Sequence, residues 1–142
     1  MQLLEAFRRY HAKPTNVRWS VTAISTTEPP ELVCVLVSTW KGWTWQRDDL
    51  PKNVCEYRDD LSKWQTAATS ETRANVGRAF KEGLAVRLIL AIVNAKDSQA
   101  MNADPDISMA GMACDFEPRV DLNGRVTEFD GNAFAIRFER RA

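Results

Sequence analysis

Two long apolar runs constrain the fold of this chain more than any other sequence feature. Residues Leu32–Trp40 are apolar on both faces of an extended strand, and Leu84–Ala95 is a second strongly apolar stretch. A strand with this pattern is typical of the centre of a sheet, where packed elements cover both of its sides. We therefore predict a central strand over 32–40 and a second apolar strand over 84–95.

The length of the chain fits one domain. It has 142 residues, of which 44% are hydrophobic and 27% are charged. These values are ordinary for a globular protein, and a chain of this length buries a real core without metal or disulfide links. We expect residues 1–142 to form a single domain.

The charge balance limits the class of partner. The 19 basic side chains are matched by 19 acidic ones, so the formal net charge is zero. Wrapping a long DNA duplex needs an excess of Lys and Arg, because that affinity comes from neutralising phosphates. The composition argues against such a role but leaves open a small site that reads one base or one nucleotide.

Cysteine use and hydropathy predict a cytoplasmic protein. Cys34, Cys55 and Cys114 are odd in number and widely spaced, which favours a reducing compartment over a disulfide framework. Residues 1–11 carry charges inside their apolar pattern, unlike a signal peptide. The longest uninterrupted apolar run is too short to span a membrane, so no membrane contact is expected.

The N-terminal half predicts a helix followed by a strand and a turn. Apolar residues recur at helical spacing over 2–12, and Pro14 ends the pattern. Alternation over Val17–Ile24 predicts a half-buried strand that pairs with the central strand across a turn at Thr26–Pro30. Trp43–Gln46 follows as a further short strand whose tryptophans share one face.

The middle of the chain predicts one or two helices. Asp59 or Asp60 is suited to cap a short helix after a strand at Val54–Tyr57. A clearer helix is expected over 71–82, with Gly83 at its C-terminal end. Residues 97–112, after the second apolar strand, show little periodicity, and a loop of that length in a compact domain is often functional or mobile.

The C-terminal segment carries two strong turn signals. Asn123-Gly124 and Asp130-Gly131 are both favoured in two-residue hairpin turns, and together they predict a three-stranded meander over 115–139. The resulting register places seven largely apolar groups on one face: Val120, Leu122, Thr127, Phe129, Phe134, Ile136 and Phe138. The whole pattern predicts the α+β class, with a strongly bent, mainly antiparallel sheet or partly open barrel and two or three helices packed outside it.

No sequence motif indicates catalysis. His11 is the only histidine and sits at the end of a surface helix, and the paired aspartates lie in turn-like or cap-like segments. Metal-binding, dinucleotide-binding and P-loop patterns do not occur in the sequence. We expect no enzyme activity, metal or cofactor; an enzyme using Asp or Cys in the 97–115 loop is the weakest of three hypotheses.

The tryptophans are the sharpest feature of the sequence. Three fall within six residues, and a fourth lies on the preceding predicted strand: Trp40, Trp43, Trp45 and Trp19. Indoles on adjacent strands can form a flat-walled pocket that stacks a planar base. The predicted phosphate contacts of such a pocket are Arg18, Lys41 and Arg87. The alternative is that these tryptophans fill the core of a small barrel.

A set of short motifs resembles a known group of small domains. The motifs are Asn16-Val17-Arg18-Trp19-Ser20, an apolar strand ending in Trp40, Arg73–Gly83 leading into Leu84–Asp97, and a hairpin with Asp130-Gly131 and Phe134. They are similar to PUA, EVE and SRA-like domains that occur alone or beside HNH nucleases in restriction systems and mobile elements. The resemblance implies a barrel that captures a flipped or modified base, with Trp19, Ser20 and Trp40 in the pocket and Trp43 as a possible wall. The chain departs from that group because it has no nuclease half and no excess of positive charge.

Two functions therefore lead. The first is a non-catalytic binding module for a nucleobase, a nucleotide or single-stranded or modified nucleic acid, working through the tryptophan pocket. The alternative is an accessory protein-interaction or small-ligand-binding protein of a mobile element.

Overall fold

The computed structural model describes residues 1–16, 19–37, 43–44, 50–93 and 114–140, with the backbone alone described at 43, 44, 93 and 114. The chain is α+β. Its elements are α1 (Leu3–Arg9), β1 (Thr22–Ile24), β2 (Leu32–Val37), β3 (Trp43–Thr44), β4 (Val54–Asp60), a 3₁₀ turn (Leu61–Lys63), α2 (Thr69–Glu82), β5 (Val86–Val93), β6 (Cys114–Phe129) and β7 (Ala133–Arg140).

The strands in the described ranges form one seven-stranded mixed sheet. Its order is β1-β2-β5-β6-β7-β4-β3, and β2 with β5 is the parallel pair while the other neighbours run antiparallel. In these ranges β1 and β3 are the two edges, so the sheet is not closed into a barrel. The mainly antiparallel sheet predicted from the sequence is therefore confirmed.

Strand β2 is buried on both sides, as its sequence predicts. All six of its residues are buried. Leu32, Cys34 and Leu36 belong to a core shared with α2, which we call the α2 core. Val33, Val35 and Val37 belong to a second core shared with α1, the α1 core. The two helices thus cover opposite faces of the sheet. Strand β2 is apolar on both faces because it lies between the two cores.

Both expected helices are present, with different bounds. Helix α2 buries Val76 and Ala79 and ends at Gly83, whose φ of 66° gives the left-handed C-cap expected from the sequence. Helix α1 is shorter than the predicted 2–12, and His11 beyond it has a φ of 57°. Asp60 caps the 3₁₀ turn, since its side chain accepts a hydrogen bond from the Ser62 backbone N–H at 2.9 Å. In the described ranges no helix is long and apolar enough to cross a membrane.

The first predicted strand is confirmed only in its second half. Strand β1 begins at Thr22 and pairs with β2 across the expected turn, whereas Val17–Ile24 was predicted to be extended throughout. The Asn16 carbonyl accepts hydrogen bonds from the backbone N–H groups of Trp19 at 3.2 Å and Ser20 at 2.8 Å. These bonds bend the chain before β1, and side-chain alternation alone does not reveal them. Residues 17 and 18 lie outside the described residues.

The prediction of a hairpin turn at Asn123-Gly124 is wrong. Strand β6 runs without a turn through Asn123 and Gly124, so the predicted three-stranded meander of 115–139 is a single long hairpin of β6 and β7. A register shift between Val86 and Leu88 of β5 instead places a bulge in β6, because Val86 pairs with Gly124 and Leu88 with Arg119. Residues 86–88 of β5 thus oppose the longer segment 119–124 of β6. As a result Val126 is buried in the α2 core, and Val120 is 60% exposed.

The second C-terminal turn is confirmed, with a different register. Asp130 accepts hydrogen bonds from the backbone N–H groups of Asn132 at 2.9 Å and Ala133 at 2.8 Å. Phe129 pairs with Phe134 rather than with Asn132. Helix α2 braces this hairpin, because Arg73 donates to the Gly131 carbonyl at 2.9 Å and to the Asn132 side chain at 3.0 Å.

Candidate ligand-binding face

A set of charged residues lies on strands β4, β6 and β7, on the same side of the sheet as α1. Strands β6, β7 and β4 are neighbours, and alternate residues on each belong to the α2 core. The intervening residues point to the other face. We call five of them the charged face: Glu56, Arg58, Arg125, Glu128 and Arg137.

One row of the charged face crosses all three strands. Glu56 on β4 is directly opposite Arg137 on β7, and Arg137 is directly opposite Arg125 on β6. A guanidinium nitrogen of Arg137 donates to Glu56 Oε2 at 3.1 Å. Two arginines in opposite positions of an antiparallel pair repel each other, so this row retains an unfavourable contact.

In the next row, the long side chain of Arg58 extends from β4 across β7 to β6. Arg58 on β4 and Glu128 on β6 are separated by Ala135 on β7, which is fully buried. The small alanine lets the Arg58 guanidinium reach across to the Glu128 carboxylate. Arg58 Nε also donates to Glu56 Oε1 at 2.5 Å, so one arginine links the two rows.

The charged side chains of this face differ in their exposure to solvent. The Glu56 side chain is 1% exposed, while those of Arg58 and Arg137 are 52% and 46% exposed. The hydrogen bonds that Arg58 donates to Glu56 and then to Glu128 raise its pKa above the ordinary value, so this group stays protonated. Arg125 is exposed and has no hydrogen bond or ion pair with any residue that the structure describes. The face thus presents three guanidinium groups against two carboxylates, one of them buried.

A third row continues from these strands to the edge of α1. Val54, Glu139 and Asn123 follow one another across β4, β7 and β6, and Arg87 lies beyond them on β5. Glu139 Oε1 accepts a hydrogen bond from the Asn53 side chain at 3.4 Å.

Arg87 is the one predicted phosphate contact whose side chain is described. It is only 7% exposed, and its guanidinium carbon lies 5.2 Å from the centroid of the Tyr10 ring at the end of α1. That arrangement is a cation–π contact. The other two predicted phosphate contacts, Arg18 and Lys41, lie outside the described residues.

Two of the four predicted pocket tryptophans fall within the described residues, and they belong to segments at opposite edges of the sheet order. Trp19 is half-buried in the turn before β1, and the neighbouring Ser20 is buried, with its hydroxyl oxygen accepting the Asn16 N–H at 3.0 Å. The backbone of Trp43 is on β3, at the other edge, opposite Tyr57. Trp40 and Trp45 lie outside the described residues.

The fifth tryptophan belongs to a structural network. Trp64 donates its indole N–H to Asp59 at 3.0 Å, and the buried Tyr57 hydroxyl donates to the same carboxylate. Burial and the adjacent Asp59 raise the pKa of Tyr57 well above its ordinary value, so its hydroxyl remains a donor. The network fixes the end of β4 against the 3₁₀ turn.

The described thiols show no sign of activation. Burial raises the pKa of Cys34 to about 12 and that of Cys55 to about 11, so both stay protonated at neutral pH. In the described ranges no cluster of His, Cys, Asp or Glu side chains is suited to hold a metal ion. The thiols are core groups, as the apolar context of Cys34 predicts.

Comparison with known proteins adds no relative. No family model, curated protein or solved structure matches the chain.

Sequence reasoning did not find the charged face, although a signal was present. Glu56 and Arg58 alternate with apolar residues on β4, and Arg137 alternates with phenylalanine and isoleucine on β7. Such alternation predicts that these residues share a polar face of their own strand. It does not predict that β7 lies between β4 and β6, which is what joins them into rows.

Proposed function

We propose that this protein is a non-catalytic binding module for a nucleotide or single-stranded nucleic acid, and that phosphates contact its charged face. The observation that carries the proposal is the position of Arg125 directly opposite Arg137 on a solvent-open surface. Opposed like charges destabilise an antiparallel pair, and an anion between them would relieve the repulsion. Guanidinium groups suit this task because their donors match phosphate oxygens in bidentate geometry.

The neighbouring strand supports nucleic acid over a simple anion. Strand β3, which carries Trp43, pairs directly with β4, and the sequence places Trp40 and Trp45 within three residues of it. Single-stranded nucleic acids bind where a positive surface tracks the backbone and aromatic side chains stack the bases. The proposal assigns base stacking to this tryptophan segment and gives Trp19 and Ser20, at the other sheet edge, no part in it.

The charge balance restricts the ligand to a short contact. A chain of zero net charge has little long-range attraction for a duplex, whereas three guanidinium groups suffice for a few phosphates. The resemblance to PUA, EVE and SRA-like domains implies a ligand of the same class and stays a prediction.

The experiment compares two exposed arginines on opposite faces of the sheet. Arg125→Gln removes one guanidinium of the opposed pair, while Arg78→Gln removes one from α2, where it bonds Glu82 at 2.8 Å. We expect Arg125→Gln to weaken binding of a fluorescent oligo(dT) about tenfold and to reduce the slope of log affinity against log salt by about 0.7. Arg78→Gln should change neither value, and fluorescence anisotropy at several salt concentrations measures both.

Two outcomes would contradict the proposal. One is an equal loss of affinity in both variants, which would indicate non-specific attraction to any positive charge. The other is no binding by the unaltered protein at millimolar concentrations of nucleotide or oligonucleotide, which would favour an accessory protein-interaction role.

A further inference from the structure

Arg87 is a buried charge without a countercharge. It has no ion pair with any described residue, and its Nε–H is buried without a hydrogen-bond partner. The Tyr10 ring offers it a π face but no negative charge, since burial raises the pKa of this phenol to about 12 and keeps it neutral. A buried guanidinium in this condition is costly unless another group compensates it.

A second unsatisfied atom lies at the same bulge. The side-chain oxygen of Asn123 is buried and accepts no hydrogen bond from the part of the chain that the structure describes. Val86 pairs with Gly124, so Arg87 on β5 is next to Asn123 on β6, and both belong to the sheet face that α1 packs against. The bulge thus contains one donor without an acceptor and one acceptor without a donor.

The nearby carboxylates do not satisfy this donor. Asp121 is held by Arg119 through two hydrogen bonds of 2.9 and 3.0 Å. Glu139, opposite Asn123 in the register, accepts from Asn53 at 3.4 Å.

The chemistry of the two atoms selects a ligand that is anionic and still carries a proton. A carboxylate, a sulfate or a phosphodiester is fully deprotonated at neutral pH and only accepts hydrogen bonds. A phosphomonoester loses its second proton near pH 6, so most of it is also only an acceptor at pH 7. Inorganic phosphate keeps at least one proton at neutral pH. A water molecule could donate to Asn123 Oδ1 and accept from Arg87, but it would not neutralise the charge of Arg87.

We propose that the bulge between β5 and β6 binds inorganic phosphate, with Arg87 Nε–H donating to one phosphate oxygen and a phosphate O–H donating to Asn123 Oδ1. The site is separate from the charged face and does not depend on the function proposed for it. Binding makes and breaks no covalent bond. The proton that phosphate retains at neutral pH distinguishes it from sulfate.

The test titrates the protein with phosphate and with sulfate, which match in size but differ in the retained proton. Isothermal titration calorimetry at pH 7 should show phosphate binding at least about tenfold tighter than sulfate, because sulfate leaves the buried Asn123 Oδ1 without a donor. A 5′-phosphorylated oligonucleotide should gain nothing over its unphosphorylated form at this site.

Three variants complete the test. Arg87→Gln should abolish phosphate binding, and Asn123→Leu, which keeps the side-chain size but removes the acceptor, should erase the preference over sulfate. Arg78→Gln on the opposite face should bind phosphate as the unaltered protein does. If Arg87→Gln fails to fold, as circular dichroism would show, Asn123→Leu still decides the question.

Any of three results would overturn the proposal: equal affinity for the two ions, no heat with either ion at tens of millimolar, or an unchanged preference in Asn123→Leu. None of these bears on oligonucleotide binding at the charged face. Failure of the phosphate site is therefore distinguishable from failure of the proposed function.

Discussion

At the scale of single residues, Glu56 is the group on which the charged face depends. Its buried carboxylate accepts from Arg58 at 2.5 Å and from Arg137 at 3.1 Å, and so fixes both guanidinium groups against the sheet. The Glu56 carboxylate fixes the positions of the Arg58 and Arg137 guanidinium groups. It leaves the charge of the third arginine, Arg125, without a partner among the described residues. The residue therefore shapes the face rather than contacting a ligand.

Replacing Glu56 with glutamine should cost stability. The variant loses the negative charge at the centre of two ion pairs, and we expect a destabilisation of about 1–3 kcal/mol, less than for a fully buried pair since both arginines are half exposed. Glu128→Gln at the open end of the same network should cost under about 1 kcal/mol. Urea unfolding followed by circular dichroism measures both, and equal losses would contradict the central position of Glu56.

At the scale of elements, β6 shows where local sequence signals fail. Asn123-Gly124 has favourable hairpin chemistry, yet the strand passes straight through it. Glycine is required there for space: a Cβ at Gly124 would lie 2.6 Å from Cδ1 of the Phe138 ring. A dipeptide pattern cannot separate these two reasons for a glycine, because the aromatic ring comes from another strand.

Gly124→Ala therefore tests the continuity of β6. The added methyl collides with Phe138, and we expect a loss of about 1–3 kcal/mol in the free energy of unfolding. Combining it with Phe138→Leu should cost less than the sum of the two single changes, because the smaller side chain makes room for the methyl. Additive costs measured by urea unfolding would show that the ring is not what requires the glycine.

The elements with strong local signals were otherwise predictable. The two long apolar runs predicted β2 and β5, and Gly83 predicted the end of α2. The Asp130 turn was found as well, because its hydrogen bonds lie within four residues. The start of β1 was missed, since the Asn16 carbonyl interrupts the strand through backbone bonds that no side-chain pattern records.

At the scale of the whole molecule, strand order creates the candidate site. Strand β4 is separated from β6 by more than fifty residues in sequence, yet β7 brings them within one row. Strand pairings over such separations are set by the packing of the two cores, and the sequence pattern of one strand contains no information about its neighbour. This is why Arg125 and Arg137 could be recognised individually as polar-face residues but not as an opposed pair.

Sheet order also places the segments of Trp19 and Trp43, which the sequence prediction put in one pocket, at opposite ends of the sheet. The segment with Trp19 precedes one edge strand, and Trp43 is part of the other. The sequence prediction assumed that neighbours along the chain are neighbours in the sheet, whereas β5, β6, β7 and β4 lie between β2 and β3. The two sites proposed above follow from this order: one on β4, β7 and β6, and one at the β5–β6 bulge.

The central claim is that ligand phosphates contact the sheet face formed by β4, β7 and β6. Amide chemical-shift mapping of the ¹⁵N-labelled protein during titration with oligo(dT) tests it most directly. We predict that the largest shifts cluster at Glu56, Arg125 and Arg137, while the amides of α2, on the other face, stay unchanged. Shifts concentrated on α2 around Arg73 and Arg78, or no shifts at millimolar oligonucleotide, would contradict the claim.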